Sequence, residues 1–279
     1  MVRVENKDCN DFLQTIDDGV VDLILTDPPY IISRDSGMEK HYNNILNSTS
    51  LKTTKEWKTY MVENGDEIKK LIKPFTRYTL ENFKDNYIKY GSIYGKKYAV
   101  KTDYGDWDSG FKMEKLKETV SNYYKKLRKG GTVIIFFDIW KITDLKKILE
   151  DCKFKQIRMI EWIKTNPQPR NSKINYLTNA REIALLAVKG GKPTFNTKYH
   201  NGIFEYPIAN KNRTHPTQKN IDLIKELITI HSNEGDTVVD TFLGSGTTMF
   251  ACKDLNRVFM GCELNEEYYN TIMNRLIAT

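Results

Sequence analysis

None of the four cysteines (Cys9, Cys152, Cys252, Cys262) stands in a C-x-x-C pair, so neither a disulfide framework nor a zinc site is indicated. No apolar run approaches the ~20 residues of a membrane span. The most apolar runs, Thr132–Phe137 and Ile183–Val188, have strand length. The opening residues Met1–Asp8 carry no apolar core or cleavage-like segment, so no secretory signal is visible and an intracellular protein without membrane contact is expected. Glycine (16) and proline (8) are too few among 279 residues for a collagen-like or low-complexity chain. What is present is ample for a core: 39% hydrophobic residues and 11% aromatics. At about 150 residues per domain, the length allows one large domain or two small ones.

The net charge of +7 is modest, but its distribution is uneven. Residues 31–103 hold 14 Lys/Arg against 9 Asp/Glu, and residues 153–219 hold 13 against 3. The rest of the chain is acidic, with 16 against 24. Two basic segments on an acidic body suit a polyanion, although solvated lysines alone would produce the same count. Tyr42, Tyr60, Tyr78, Tyr87, Tyr90, Tyr94 and Tyr98 lie among the lysines of the first segment, as a surface that stacks bases and neutralises phosphates requires.

Short β-rich runs alternate with helical periodicity. Val20–Thr26, Thr132–Phe137, Ile157–Ile163, Ile183–Val188, Thr237–Asp240 and Val258–Cys262 read as buried strands. Lys112–Lys129, Ile142–Cys152, Gln218–His231, Thr247–Leu255 and Glu266–Leu276 read as helices. The alternation predicts an α/β fold, a mostly parallel sheet doubly wound with helices on both faces. Residues 31–103 break the rhythm and are too long for an ordinary connection, and 189–214 form a second irregular stretch.

Thr237–Met249 runs from a strand through Asp240-Thr241-Phe242-Leu243-Gly244-Ser245-Gly246 into a helix opened by Thr247 and Thr248. Gly244 and Gly246 let backbone approach a ligand closely, and helix amides face it. A dinucleotide fingerprint needs a third glycine where Met249 stands, which disfavours a pyrophosphate. Glu263 ends the next strand, near the distance at which a carboxylate binds ribose hydroxyls. Together these features suit a nucleoside ligand lacking a diphosphate, such as S-adenosyl-L-methionine.

Val21–Tyr30 places Asp27-Pro28-Pro29-Tyr30 at a strand's C-terminal end, where open α/β sheets hold ligands. The prolines resist helix and fix an extended backbone. An exocyclic nucleobase amine is a poor nucleophile because its lone pair is delocalised into the ring. A carboxylate and a backbone carbonyl accepting its two N–H bonds localise that pair, and Tyr30 would stack on an extruded base. The alternative is an Asp-capped turn that merely ends a strand.

The two turns in this order, with His215-Pro-Thr-Gln-Lys219, Tyr104–Asp108, Leu127–Gly131 and Trp162–Pro167, resemble the β group of DNA amino-methyltransferases, of restriction–modification or phage type. The resemblance covers residues 1–30 and 104–279, and implies a seven-stranded Rossmann-like catalytic domain interrupted by an inserted DNA-recognition region at 31–103, with 189–214 as a second DNA-facing loop. It implies S-adenosyl-L-methionine as cofactor, no metal, and double-stranded DNA as partner. A cognate restriction endonuclease and a homodimer are further partners that it admits, in the cytoplasm of a bacterium or phage host.

Residue by residue, the resemblance assigns the target amine to Asp27 and the Pro28 carbonyl on the rigid Pro28-Pro29 turn, with Tyr30 on the base. Asp240, Phe242, Leu243, Gly244, Ser245, Gly246, Thr247 and Thr248 would line the cofactor, with Asp240 near its methionine end. Glu263 would hold the ribose, Asp8 would reach the adenine, and Lys219 and His215 would meet the methionine carboxylate, with Cys9, Thr217, Gln218 and Leu264 also in the cofactor-binding set. Two positions depart from the pattern: Thr241 and Asn220 stand where the family usually has proline. Aspartate at the head of the first turn favours adenine N6; cytosine N4 is the alternative, often with serine there. A catalytically silent DNA-binding subunit would lose the acid or the glycines, and both are intact. RNA is a third substrate class. A protein glutamine amide usually goes with Asn-Pro-Pro-Tyr and the opposite motif order.

Overall fold

The computed structural model describes residues 1–29, 51–72, 79–98, 111–167, 177–208 and 218–277. The chain divides into two compact units, Met1–Ile31 with Trp107–Thr279, and Ile32–Asp106.

The first unit begins with β1 (Val2–Glu5), α1 (Cys9–Gln14) and β2 (Val21–Thr26). In the second unit, α2 (Thr54–Leu71) and α3 (Leu80–Tyr90) precede a short 3-10 turn, Gly95–Tyr98. The first unit resumes with α4 (Met113–Lys126), β3 (Leu127–Phe137), α5 (Ile142–Asp151), β4 (Lys155–Lys164), β5 (Arg181–Val188) and β6 (Ile203–Tyr206). It ends with α6 (Ile221–His231), β7 (Thr237–Asp240), α7 (Thr247–Asp254), β8 (Val258–Cys262) and α8 (Glu266–Ile277).

The strands form one sheet in the order β1-β8-β7-β2-β3-β5-β4-β6, parallel except where β5 runs against β3 and β4. Among the described residues the sheet has eight strands where seven were expected. β1 and β6 are four-residue edge strands without the buried apolar run that marks the equally short β7, and β6 lies inside 189–214, which is therefore not wholly irregular. The helix expected over Lys112–Lys129 stops at Lys126, because Leu127 is captured as an extended residue pairing with Val21. Gly130 adopts φ +80°, and a Cβ there would lie 2.3 Å from the Lys192 carbonyl oxygen, so the turn entering the sheet admits only glycine.

Both faces of the sheet are covered. Along β3, Val133, Ile135 and Phe137 enter a core with α1, α4 and α5, while Ile134 and Phe136 enter another with α6 and α7. That alternation is the period-two geometry of a strand buried on both sides.

The second unit packs two helices, each opened by a capping box: Thr53 with Glu56, and Thr79 with Asn82. Trp57, Ile68, Phe83, Tyr87 and Ile93 form its core. Tyr87 is buried, with Tyr60 stacked on it at a centroid separation of 4.6 Å, so these two tyrosines serve helix packing and not a base-stacking surface. Tyr94 is exposed and Tyr90 half-buried; Tyr42 and Tyr78 lie outside the described residues.

Asn220 caps α6. Its side chain accepts from the Asp222 and Leu223 amides and donates to the Pro207 carbonyl at 2.9 Å. The backbone angles, φ −67° and ψ 130°, are ones that proline also adopts, so the departure at this position keeps the conformation and replaces a ring with a hydrogen-bonded cap. Asn220→Ala is expected to cost about 1 kcal/mol, read as a lower urea midpoint at unchanged slope.

Candidate active site

β2 lies between β3 on one side and β7 on the other, and the chain leaves it towards β3 and returns through β7. That reversal of strand order opens a crevice at the strands' C-terminal ends. The Asp27-Pro28-Pro29 turn follows β2 and the glycine turn follows β7, so the crevice brings together two motifs from opposite ends of the chain. The Thr26 hydroxyl donates to Asp240 at 2.8 Å across 214 positions of sequence. The Phe242 amide donates to the same carboxylate oxygen at 3.1 Å. Burial pushes the Asp240 carboxyl up to about 6, against the pull of donors from Thr248, Thr26 and Phe242; the negative charge of Asp27 adds to the rise.

The glycine turn uses left-handed backbone at Gly244 (φ +54°) and Gly246 (φ +80°). A Cβ on Gly246 would press within 3.2 Å of the Phe250 ring and 3.4 Å of Ile272, so this cradle at the start of α7 admits only glycine. Glu263 ties the turn to the end of β8: one carboxylate oxygen accepts from the Gly244 amide and the other from the Asn265 amide, each at 2.8 Å. Burial raises its carboxyl while these amides oppose the rise. A carboxylate oxygen accepts more than one bond, so acceptor capacity for a ribose hydroxyl remains. A glycine turn beside an anchored carboxylate fits a nucleoside ligand. Leu243 and Thr247 are buried, Phe242 is half-buried with its ring edge-on to Phe111 at 5.2 Å, and Leu264 is 56% exposed.

Thr241 meets the buried Tyr123 hydroxyl in a short hydrogen bond, and the Cys262 thiol donates to its carbonyl at 3.3 Å. The turn that proline would stiffen is held here by side-chain bonds. Asp8 accepts from the Asn10 amide as the cap of α1 and pairs with Lys115 at 2.5 Å. Burial raises its carboxyl, but Lys115 and the amide outweigh this and hold it below the usual range. Cys9 is a core residue; burial pushes its thiol up to about 11.

Lys219, ahead of α6, reaches Asp27 at 2.5 Å. It also pairs with Glu182 on β5 at 3.0 Å, off the line of a directed hydrogen bond, and Glu182 pairs with Lys164 on β4 at 2.7 Å. The Phe136 ring lies 5.0 Å from the Lys219 ammonium. Burial raises the Glu182 carboxyl, yet the two lysines hold it below the ordinary range. Sequence reasoning missed Glu182, a lone acid opening a strand, and Arg275, which donates to the Ser245 carbonyl at 2.6 Å from α8. It placed Lys164 in a motif block without a role. Gln218 is half-buried, whereas Tyr30, His215, Thr217 and the Tyr104–Asp108 block lie outside the described residues. Among the described residues no group of His, Cys, Asp and Glu is arranged to hold a metal ion, and no helix is long and apolar enough to cross a membrane.

The raised Asp240 carboxyl gives a sign to pH dependence. A carboxyl that is harder to ionise when folded favours the fold below the ordinary carboxylate range, and that contribution disappears as pH rises through about 6. Asp240→Asn is expected to stabilise the fold by up to about 3 kcal/mol at pH 7.5, and by about half of that at pH 5. Thermal unfolding at the two pH values checks this; an equal gain at both would show that Asp240 does not titrate between them.

A family model described as DNA methylase matches residues 21–274. The Type II methyltransferase M.HpaI of Haemophilus parainfluenzae is 32% identical over 224 residues, 71% of this chain and 70% of that protein. M2.DpnII of Streptococcus pneumoniae, also a Type II methyltransferase, is 31% identical over 202 residues, 64% of this chain and 74% of its own. The M1.HpyAVI–SAM complex superposes with a TM-score of 0.61 at 25% identity over 99% of each chain. The cytosine-N4-specific PvuII DNA methyltransferase, at 14% identity and TM-score 0.63 over 98% of this chain and 85% of its own, shares the fold. With the match running from β2 into α8 across both turns, the chain belongs to the N6/N4 DNA methylase family of S-adenosyl-L-methionine-dependent enzymes.

Proposed function

We propose that this enzyme transfers a methyl group to the exocyclic N6 of adenine at a specific site in double-stranded DNA, acting on a base extruded from the helix. The observation that carries the reading is Asp27, a carboxylate held at the crevice beside the Asp240 and glycine turns and gripped by Lys219. S-adenosyl-L-methionine, held by the glycine turn and Glu263, would supply an electrophilic methyl on a sulfonium whose sulfur keeps the electron pair of the broken C–S bond, and the proton released by the amine would pass through Asp27 to solvent. Asp27 accepts one N–H of the amine and the Pro28 carbonyl the other, localising the nitrogen lone pair towards the methyl. Glu263 would hold ribose hydroxyls, the Gly244–Gly246 turn would lie against the ligand, and Asp240 would face its methionine end. Asp8 and Cys9 mark the adenine end, and Tyr30 stacks on the target base.

Cytosine N4 offers the same amine chemistry, and aspartate at the head of the turn favours adenine. DNA from a methylation-free host expressing the chain, read with modification-sensitive base calling, should carry N6-methyladenine at one short sequence. N4-methylcytosine there would overturn the adenine assignment. Asp27→Ala should abolish transfer while leaving cofactor affinity within a few-fold of wild type. Retained turnover would remove Asp27 from the mechanism.

Residues 31–103 are the DNA-recognition region of this reading, with 189–214 as a second DNA-facing segment. On the first, exposed Lys89 and Lys96 hold their ammonium groups 5.5 and 5.8 Å from the Tyr90 ring centroid, a cationic and aromatic cluster suited to phosphate and base. Replacing both lysines by alanine should flatten the log–log salt dependence of duplex binding by about 0.9 for each phosphate no longer neutralised. An unchanged slope with weaker cofactor binding would assign the region to the cofactor instead. A cognate endonuclease and a homodimer are partners that this reading admits, in a cytoplasmic setting.

A further inference from the structure

Four charges alternate from β4 to the turn after β2: Lys164, Glu182, Lys219 and Asp27. They come from β4, β5, the segment before α6 and the end of β2. The antiparallel pairing of Trp162 with Glu182 brings the first two together, and Asn220 fixes where Lys219 stands. The Lys219 side chain is only 9% exposed and lies between two carboxylates. Other charges at the group's margins are Arg181, paired with Glu161 at 3.2 Å, and Asp240 at the end of β7.

An ammonium on a flexible four-carbon stem, facing Asp27 alone, would place one positive charge fully on the carboxylate that must accept the target amine. It would weaken that acceptor and leave the lysine free to swing. A second carboxylate on the far side shares the charge and fixes the ammonium, and Lys164 in turn anchors that carboxylate. Ion pairs of this kind are weak evidence for stability in themselves; their convergence on the reacting turn is the informative feature.

We propose that Glu182 is a positioning residue for methyl transfer, holding Lys219 against Asp27 so that the Asp27 carboxylate stays fixed and basic enough to accept the amine. The proposal rests on Asp27 being the acceptor of the target amine. A purely structural role for Glu182 would change melting temperature without changing the rate constant of transfer well below it.

The test measures transfer of labelled methyl from S-adenosyl-L-methionine to chromosomal DNA of a methylation-free host, with cofactor affinity measured separately by calorimetry without DNA. Glu182→Gln should lower kcat by about 10–100-fold. Its cofactor Kd should change by much less than kcat, since the side chain reaches the site only through Lys219 and does not touch the glycine turn or Glu263. Glu182→Asp, which keeps the charge but withdraws it by one methylene, should fall between the two. Wild-type kcat in Glu182→Gln would overturn the proposal, as would a kcat loss matched by an equal loss of cofactor affinity. Should Glu182→Gln fail to fold, Glu182→Asp decides alone: reduced kcat at unchanged Kd supports the role, and wild-type kcat removes it. Asp27→Ala, run alongside, separates the two ideas. An active Asp27→Ala overturns the acceptor reading and this proposal with it, whereas an inactive one beside a fully active Glu182→Gln overturns this proposal alone.

Discussion

The hydrogen bond from Thr26 to Asp240 joins the ends of two neighbouring parallel strands, and the rest of the site depends on the constraint that it expresses. A parallel sheet whose strand order reverses at β2 leaves its C-terminal ends open on both sides of the reversal. Side chains leaving β2 and β7 there share one crevice, however far apart they are in sequence. Asp240 is held in that crevice by three donors, although burial makes its charge unfavourable. A carboxylate kept under such conditions is arranged for a ligand more than for the fold.

Around this junction the backbone is fixed by local chemistry of two kinds. Where close approach is needed, glycine removes the side chain, as at Gly246 against Phe250 and Ile272. Where rigidity is needed, Pro28 and Pro29 supply it covalently, whereas Thr241 and Asn220 supply it through hydrogen bonds. Tyr123 holds the first of these turns, and the amides of α6 hold the second. A hydrogen-bonded turn keeps the geometry while adding a side chain whose loss has a measurable cost.

The second unit shows where counting residues stops being informative. Seven tyrosines among lysines suggested a stacking surface, yet Tyr87 is buried and Tyr60 is stacked on it, with Trp57 5.5 Å from Tyr87. A helix pair this polar has few aliphatic residues, so its aromatics close the core. Exposed Lys89 and Lys96 around Tyr90 are what that composition leaves at the surface.

Whatever depends on backbone conformation over a few residues was legible in the sequence. The Asp27-Pro28-Pro29 turn, the Gly244–Gly246 cradle, Glu263 after β8 and most of the strand–helix alternation follow from prolines, glycines and hydrophobic period. The short strands β1 and β6 were not legible, because these edge strands lack the buried apolar run that marks the equally short β7 and owe their extended form to a neighbouring strand. Nor was the reach of Lys219 to Asp27 and Glu182. Glu182 meets Lys164 through antiparallel register, and Lys219 meets both acids because α6 packs back beside β2. Register and layer packing are set by burying a whole sheet at once. Pairwise electrostatics between distant positions therefore exist only after assembly, and no local period in the chain encodes them.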